Sequence, residues 1–181
     1  MDKVRLYLKE IVEVSSNTDI VLLILVDEQE KRQLVIPCDK LMKYELNARV
    51  QKKNCSRRLP EVLLNLLRNN TDLSFEILLT DIIDGDFKAQ LFNLDSLEMI
   101  PINAADAILI SKIAHLPLFA SERLMFRQSA KYTPGVASVS LPINILTNEM
   151  LQEAMNKAIS EERYEQASQI RDELKRRVEG K

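Results

Sequence analysis

The stretch Ile100-Pro-Ile-Asn-Ala-Ala-Asp-Ala-Ile-Leu-Ile-Ser-Lys-Ile-Ala-His115, running on into Leu116-Pro-Leu-Phe-Ala120, decides the fold. It reads as a strand end, a capped helix and a short return strand. Asn103 is placed to be the N-cap, its side chain accepting from a free amide of the first turn. Asp106 falls at N3, where a carboxylate can reach back to the cap amide and favours the positive helix end. Ala107, Ile108, Ile110, Ile113 and Ala114 make much of the helix apolar, which predicts burial. The hairpin before it and Leu116–Phe119 after it are expected to pack around it. A functional site is expected near the start of this helix.

Upstream, Val4–Val14, Ile20–Val26 and Gln33–Ile36 read as a three-strand meander, with Pro37 as its stop. Leu41–Val50 has helical spacing, with Leu41, Tyr44 and Ala48 on one face. Pro60 suits the first turn of the next helix, Glu61–Arg68, whose Val62, Leu63, Leu66 and Leu67 predict a buried stripe. Phe75–Ile83, the turn Asp84-Gly85 and Asp86–Leu94 predict a tight hairpin. Leu97–Ile102 is a further strand.

The pattern is α+β: a mixed or antiparallel sheet with about three packed helices over residues 1–127. Residues 128–146 form a linker or extended segment whose Val136, Val139, Leu141 and Ile143 could join a sheet edge. Residues 147–181 form an α-helical hairpin. Thr147 or Asn148 caps its first helix, Ser160–Arg163 turns, and Tyr164–Val178 is the second. Such a hairpin buries little by itself. Leu151, Met155, Tyr164, Ala167 and Ile170 are therefore expected to bind a partner protein or a second copy.

Composition narrows the function classes. The net charge of -2 gives no global attraction to nucleic acid or membrane, so any such binding needs a local patch. Three glycines and no tryptophan argue against a glycine-rich nucleotide loop. The longest apolar run, Ile20–Val26, is too short to span a bilayer, so no membrane association is expected. The start of the chain lacks a signal-peptide plan, and Cys38 and Cys55 stand alone. A cytoplasmic protein with free thiols is expected. His115 is the only histidine, which excludes intrachain sites needing two.

One charge cluster stands out. Lys40, Lys43, Arg49, Lys52, Lys53, Arg57 and Arg58 face only Glu45 within Lys40–Arg58. The functional reading is phosphate contact with DNA or RNA; the simpler reading is a solvated helix face and loop. Tyr44 is the only aromatic there, which weakens a base-stacking platform. Among the acidic residues, turn chemistry accounts for Asp84 and Asp86, and helix capping for Asp106.

Asp84-Gly-Asp-Phe-Lys-Ala89, Asn103-Ala-Ala-Asp-Ala-Ile108 and Leu116-Pro-Leu-Phe119 together resemble the bifunctional nuclease (BFN) domain family, over roughly residues 4 to 126. Tyr164-Glu-x-Ala167 followed by Ile170-Arg-Asp172 is similar to the UVR motif, a helical hairpin shared by excision-repair nuclease subunits and other bacterial proteins. The resemblance implies a cytosolic bacterial protein that forms homo-oligomers and acts on or binds DNA or RNA. It implies a hydrolase cutting phosphodiesters, with a divalent metal (Mg or Mn) if active. It also implies a UVR hairpin for protein–protein interaction.

The chain departs from the family pattern. Pro101, Asn103, Ala104 and Ala105 stand where the family commonly has Asp, Arg, Pro and Ser. Cys38–Lys43 lacks the family's Gly and Glu, and Leu59-Pro-Glu61 replaces a Thr-His-Asp segment. Only Asp106 and Glu61 keep polar character at matching positions, so they are the catalytic candidates. The alternative is a catalytically inactive oligomeric adaptor. Nuclease assays and partner capture by residues 147–181 separate the two.

Overall fold

The computed structural model describes residues 2–13, 20–68, 74–134 and 146–179. They divide into two compact units, Met1–Asp81 with Phe87–Gly135, and Ile82–Asp86 with Val136–Lys181. The fold is mixed α/β, with a largely antiparallel sheet and a C-terminal helix pair, as the sequence pattern predicts.

In chain order the sheet unit carries β1 (Lys3–Glu13), β2 (Val21–Asp27), β3 (Arg32–Cys38), α1 (Lys40–Val50) and α2 (Leu59–Arg68). Then come β4 (Phe75–Ile83), β5 (Asp86–Asn93), β6 (Met99–Asn103), α3 (Ala104–Ala114), β7 (Leu118–Ser121), α4 (Glu122–Gln128) and β8 (Ala130–Lys131). The eight strands run in the order β6-β5-β4-β7-β1-β2-β3-β8. β1, β2 and β3 form the expected meander. The helix of the opening stretch carries the chain back so that β7 enters between β4 and β1. There it pairs in parallel with β4 and antiparallel to β1. The short return strand is thus central in the sheet.

β2 is the core of the sheet. Val21 through Val26 are all buried, because both sheet faces are covered there. Removing each such side chain from water stabilises the fold by about 1.5–3 kcal/mol. Ile77 and Leu79 of β4, Leu118 and Ala120 of β7, and Ala107 and Ile108 of α3 extend the core. At the tip of the β4–β5 hairpin, Asp84 and Gly85 both have positive φ (52° and 80°), as a type I′ turn requires.

Four local expectations are corrected. Pro37 does not stop β3, which continues to Cys38 and pairs Pro37 with Leu22. β8 pairs only with Arg32 and Gln33, so the missing N–H of Pro37 falls where the outer ladder has ended. On α1 the buried residues are Leu46 and Ala48, while Leu41 and Tyr44 face solvent. On α2 nothing is buried, and Val62, Leu63, Leu66 and Leu67 are all exposed. Polar anchors fix this helix: Glu61 at its start takes two bonds from Arg49, and Arg68 at its end donates to the Ala114 carbonyl at 3.0 Å. Those bonds set its orientation without burying its apolar face. Finally, α4 is an additional helix. The Ser121 hydroxyl caps it, accepting from the Leu124 amide and donating to the Thr80 carbonyl. Val136, Val139, Leu141 and Ile143 lie outside the described residues, whereas Ala130–Lys131 does join a sheet edge.

The second unit contains the turn residues Ile82–Asp86, α5 (Asn148–Ser160) and α6 (Tyr164–Glu179). Thr147 caps α5, its hydroxyl accepting from the Met150 amide at 3.3 Å. Glu162, in the left-handed region at φ 59°, turns the chain between the helices. Among the described residues no helix is long and apolar enough to cross a membrane.

Candidate functional site

The α1–α2 corner holds the predicted basic cluster, and the fold brings carboxylates to it that lie elsewhere in the chain. Asp39 caps α1 by accepting from the Met42 amide at 2.7 Å, which aims the helix. Arg49, with its side chain nearly buried, sits between Glu45 and Glu61. Its Nε and Nη2 bind the two Glu61 oxygens at 2.8 and 2.9 Å, a bidentate geometry that Lys could not supply. Burial works against the Arg49 cation, but the hydrogen bonds to Glu61 and Glu45 outweigh it and raise its pKa. The bond from Arg49 holds the Glu45 carboxyl below its usual range against opposing burial, with Arg58 adding to it. Arg58 also lies 5.1 Å from the Tyr44 ring centre. Lys43 pairs with Glu13 of β1 at 2.5 Å, which lowers the Glu13 pKa.

Lys43, Arg49 and Arg58 are therefore ion-paired, and the local positive charge is smaller than the linear count implies. Lys40, Lys52, Lys53 and Arg57 present exposed cationic side chains.

The two catalytic candidates are not joined. Glu61 is held by Arg49, and Asp106 accepts from the Asn103 side chain at 3.3 Å. Asn103 does occupy the N-cap of α3. Its side chain makes no cap bond to the backbone, contrary to the expectation, and donates to Asp106 instead. Among the described residues no group of three or more His, Cys, Asp or Glu is placed to hold a metal ion. Cys38 and Cys55 are free and buried, and burial pushes the Cys38 thiol up to about 12.

In the helical hairpin, Leu151 and Ala158 of α5 and Ala167 and Ile170 of α6 are buried. Of the predicted partner-binding residues, Leu151, Ala167 and Ile170 are buried and Met155 is half-buried. Tyr164 stands at the turn, 66% exposed, and Ile159 is also exposed.

Arg177 was not singled out from the sequence. It is 6% exposed. Its Nη1 donates to the Asp84 carbonyl at 2.8 Å, the Leu146 carbonyl at 2.7 Å and Asn148 Oδ1 at 3.0 Å. Its Nε donates to Glu173 at 2.8 Å. Glu173 is held down at about 2, first by Arg176, against burial, and then by Arg177. One guanidinium thus ties the β4–β5 turn to both helices. The only sequence signal was its position on the apolar stripe, three residues after Leu174 and seven after Ile170.

Gly85 completes this corner. A Cβ there would lie 1.8 Å from the Leu146 carbonyl oxygen, so only glycine admits the approach.

Residues 149–176 match the family described as the UvrB/uvrC motif, UVR. The match spans nearly all of α5 and most of α6, and it is the helical hairpin that is similar to the motif. No curated protein matches the chain.

Proposed function

We propose that this chain is an interaction protein: a BFN-like α+β domain, residues 1–127, joined through residues 128–146 to a UVR-type hairpin, residues 147–181, that docks a protein partner. The carrying observation is the UVR match over a hairpin whose turn exposes Tyr164. An exposed aromatic at the turn offers a large apolar contact with few rotatable bonds to fix. In the full chain, Tyr164→Glu should abolish capture of a partner by the hairpin while circular dichroism stays unchanged. Undiminished capture would rule out the turn as the docking point.

Self-association belongs to the same proposal, with α2 as its surface. Leu59, Val62, Leu63, Leu66 and Leu67 are exposed on one short helix. At roughly 100 Å² of apolar surface apiece they form a patch of about 500 Å², as large as the biggest found on monomers. Two such patches closing on each other remove about 1,000 Å², the threshold for a specific interface.

A nucleic-acid role is the second reading, favoured by the order of the BFN-like segments and by exposed Lys40, Lys52, Lys53 and Arg57. Lys52→Glu with Arg57→Glu should weaken DNA or RNA binding and flatten its salt dependence. Cleavage by this chain would need Asp106 and Glu61 with Mg or Mn. The engagement of Glu61 by Arg49 favours the non-catalytic adaptor over the nuclease.

A further inference from the structure

One face of the sheet is partly open to solvent where β7, β4, β5 and β6 lie side by side. Strand alternation defines it. On β4, Glu76, Leu78 and Thr80 alternate with the buried Ile77 and Leu79. On β5, Gln90 and Phe92 alternate in the same way with the buried Phe87 and Ala89. The ladders extend the face sideways: Phe119 of β7 is paired with Leu78, Lys3 of β1 with Ser121, and Met99 of β6 with Phe92. A solvated sheet face is ordinarily polar. Here Leu78, Phe92, Phe119 and Met99 make its centre apolar, and Met99 is 60% exposed.

A cavity of about 520 Å³ lies on this face, with Leu78, Phe92 and Met99 as its apolar lining. Most of its polar lining is already committed within the protein. Lys3 Nζ binds both Glu76 oxygens, at 2.5 and 2.6 Å, and stands 4.3 Å from the Phe119 ring centre. That clamp leaves the Glu76 side chain only 13% exposed. The buried Ser121 hydroxyl donates to the Thr80 carbonyl at 2.8 Å, and the Thr80 hydroxyl donates to the Lys88 carbonyl at 3.2 Å. Two lining side chains remain. One is the exposed carboxylate of Asp2. The other is Gln90, half-buried, whose amide has no hydrogen-bond partner among the described residues.

We propose that this cavity binds a neutral, flat aromatic ring carrying one amide-type group. Its volume falls within the ~300–1,000 Å³ of small-ligand sites. The Phe92 ring and the Met99 thioether both favour aromatic contact. A ligand amide against the Gln90 amide makes a reciprocal pair, with one donor and one acceptor from each side. Charge argues for neutrality. Lys3 is matched by Glu76, so Asp2 leaves the lining net negative and opposes an anion. A cation gains little, because Asp2 is solvent-exposed and screened.

The proposal goes beyond partner docking and nuclease activity, and it holds or fails independently of both. The test is a titration of the full chain, isotope-labelled at its methionine methyls, with benzamide as the probe, read by NMR. Of the six methionines, Met99 alone should shift, and saturably. Benzoate, the same ring with a carboxylate, should bind about tenfold more weakly or worse. Gln90→Leu should weaken benzamide binding about tenfold, while toluene, which has no amide, keeps its wild-type affinity. The other methionine signals of Gln90→Leu should stay in place, which reports an intact fold. No saturable shift at Met99, equal affinity for benzamide and benzoate, or wild-type benzamide affinity in Gln90→Leu would each overturn the proposal.

Discussion

Replacing Arg177 with Ala should open the C-terminal hairpin. The side chain is buried and donates to the Asp84 and Leu146 carbonyls, to Asn148 and to Glu173. A net hydrogen bond to a charged group contributes about 1.5–3 kcal/mol, and deleting one member of a buried charged network costs about 3–5 kcal/mol. Water can reach Glu173, which keeps Arg176 as a partner, so the lower end applies, about 3 kcal/mol. Native-state hydrogen exchange is the suitable assay, because it resolves local opening from global unfolding. Amides of α5 and α6 should exchange about a hundredfold faster, while those of β2 hold their wild-type rates. Arg177→Lys should recover part of the loss, since an ammonium keeps the charge but cannot reach all the acceptors at once. An acceleration below about fivefold in Arg177→Ala would refute the reasoning. It would mean that the freed carbonyls are readily rehydrated and that the guanidinium is not what holds the corner.

Gly85→Ala should destabilise the same corner by about 2 kcal/mol or more, seen as a lowered urea midpoint. The residue has φ 80°, and its Cβ would meet the Leu146 carbonyl. Glu173 has a folded-state pKa of about 2 against an ordinary 4.5, so its contribution is complete above about pH 4.5 and lost as pH falls towards 2. That contribution is about 1–3 kcal/mol, and Glu173→Gln should flatten the acid limb of the hairpin's stability over that window. Leu63→Glu with Leu66→Glu should abolish self-association in sedimentation velocity without lowering the melting temperature, because neither side chain is buried.

Much of the fold was legible because it follows from local chemistry. Asp84-Gly85 permits the positive φ values of a type I′ turn, and Thr147 supplies a hydroxyl where α5 needs one. The run Ile20–Val26 is apolar at every position, which only a strand covered on both faces requires. The periodicity of α2 located the helix but not the neighbour of its apolar side. Amphipathicity states that two faces differ, not that protein covers one of them. α4 was missed because a seven-residue helix is too short to show a period.

The candidate sites were less legible because they are tertiary. Glu13 and Glu61 partly offset a cluster that looks strongly cationic in the linear count. Arg177 meets Asp84 from 93 residues away. A lone Arg on an apolar stripe was the one available clue among these.

Metal-dependent nuclease activity decides most directly between an interaction protein and an enzyme. Purified full-length chain should be incubated with single- and double-stranded DNA and RNA in Mg and in Mn, beside Asp106→Ala and Glu61→Gln variants of verified fold. The account predicts no degradation above the protein-free blank for any of the three proteins. Cleavage by the wild type that disappears in the folded Asp106→Ala variant would contradict it.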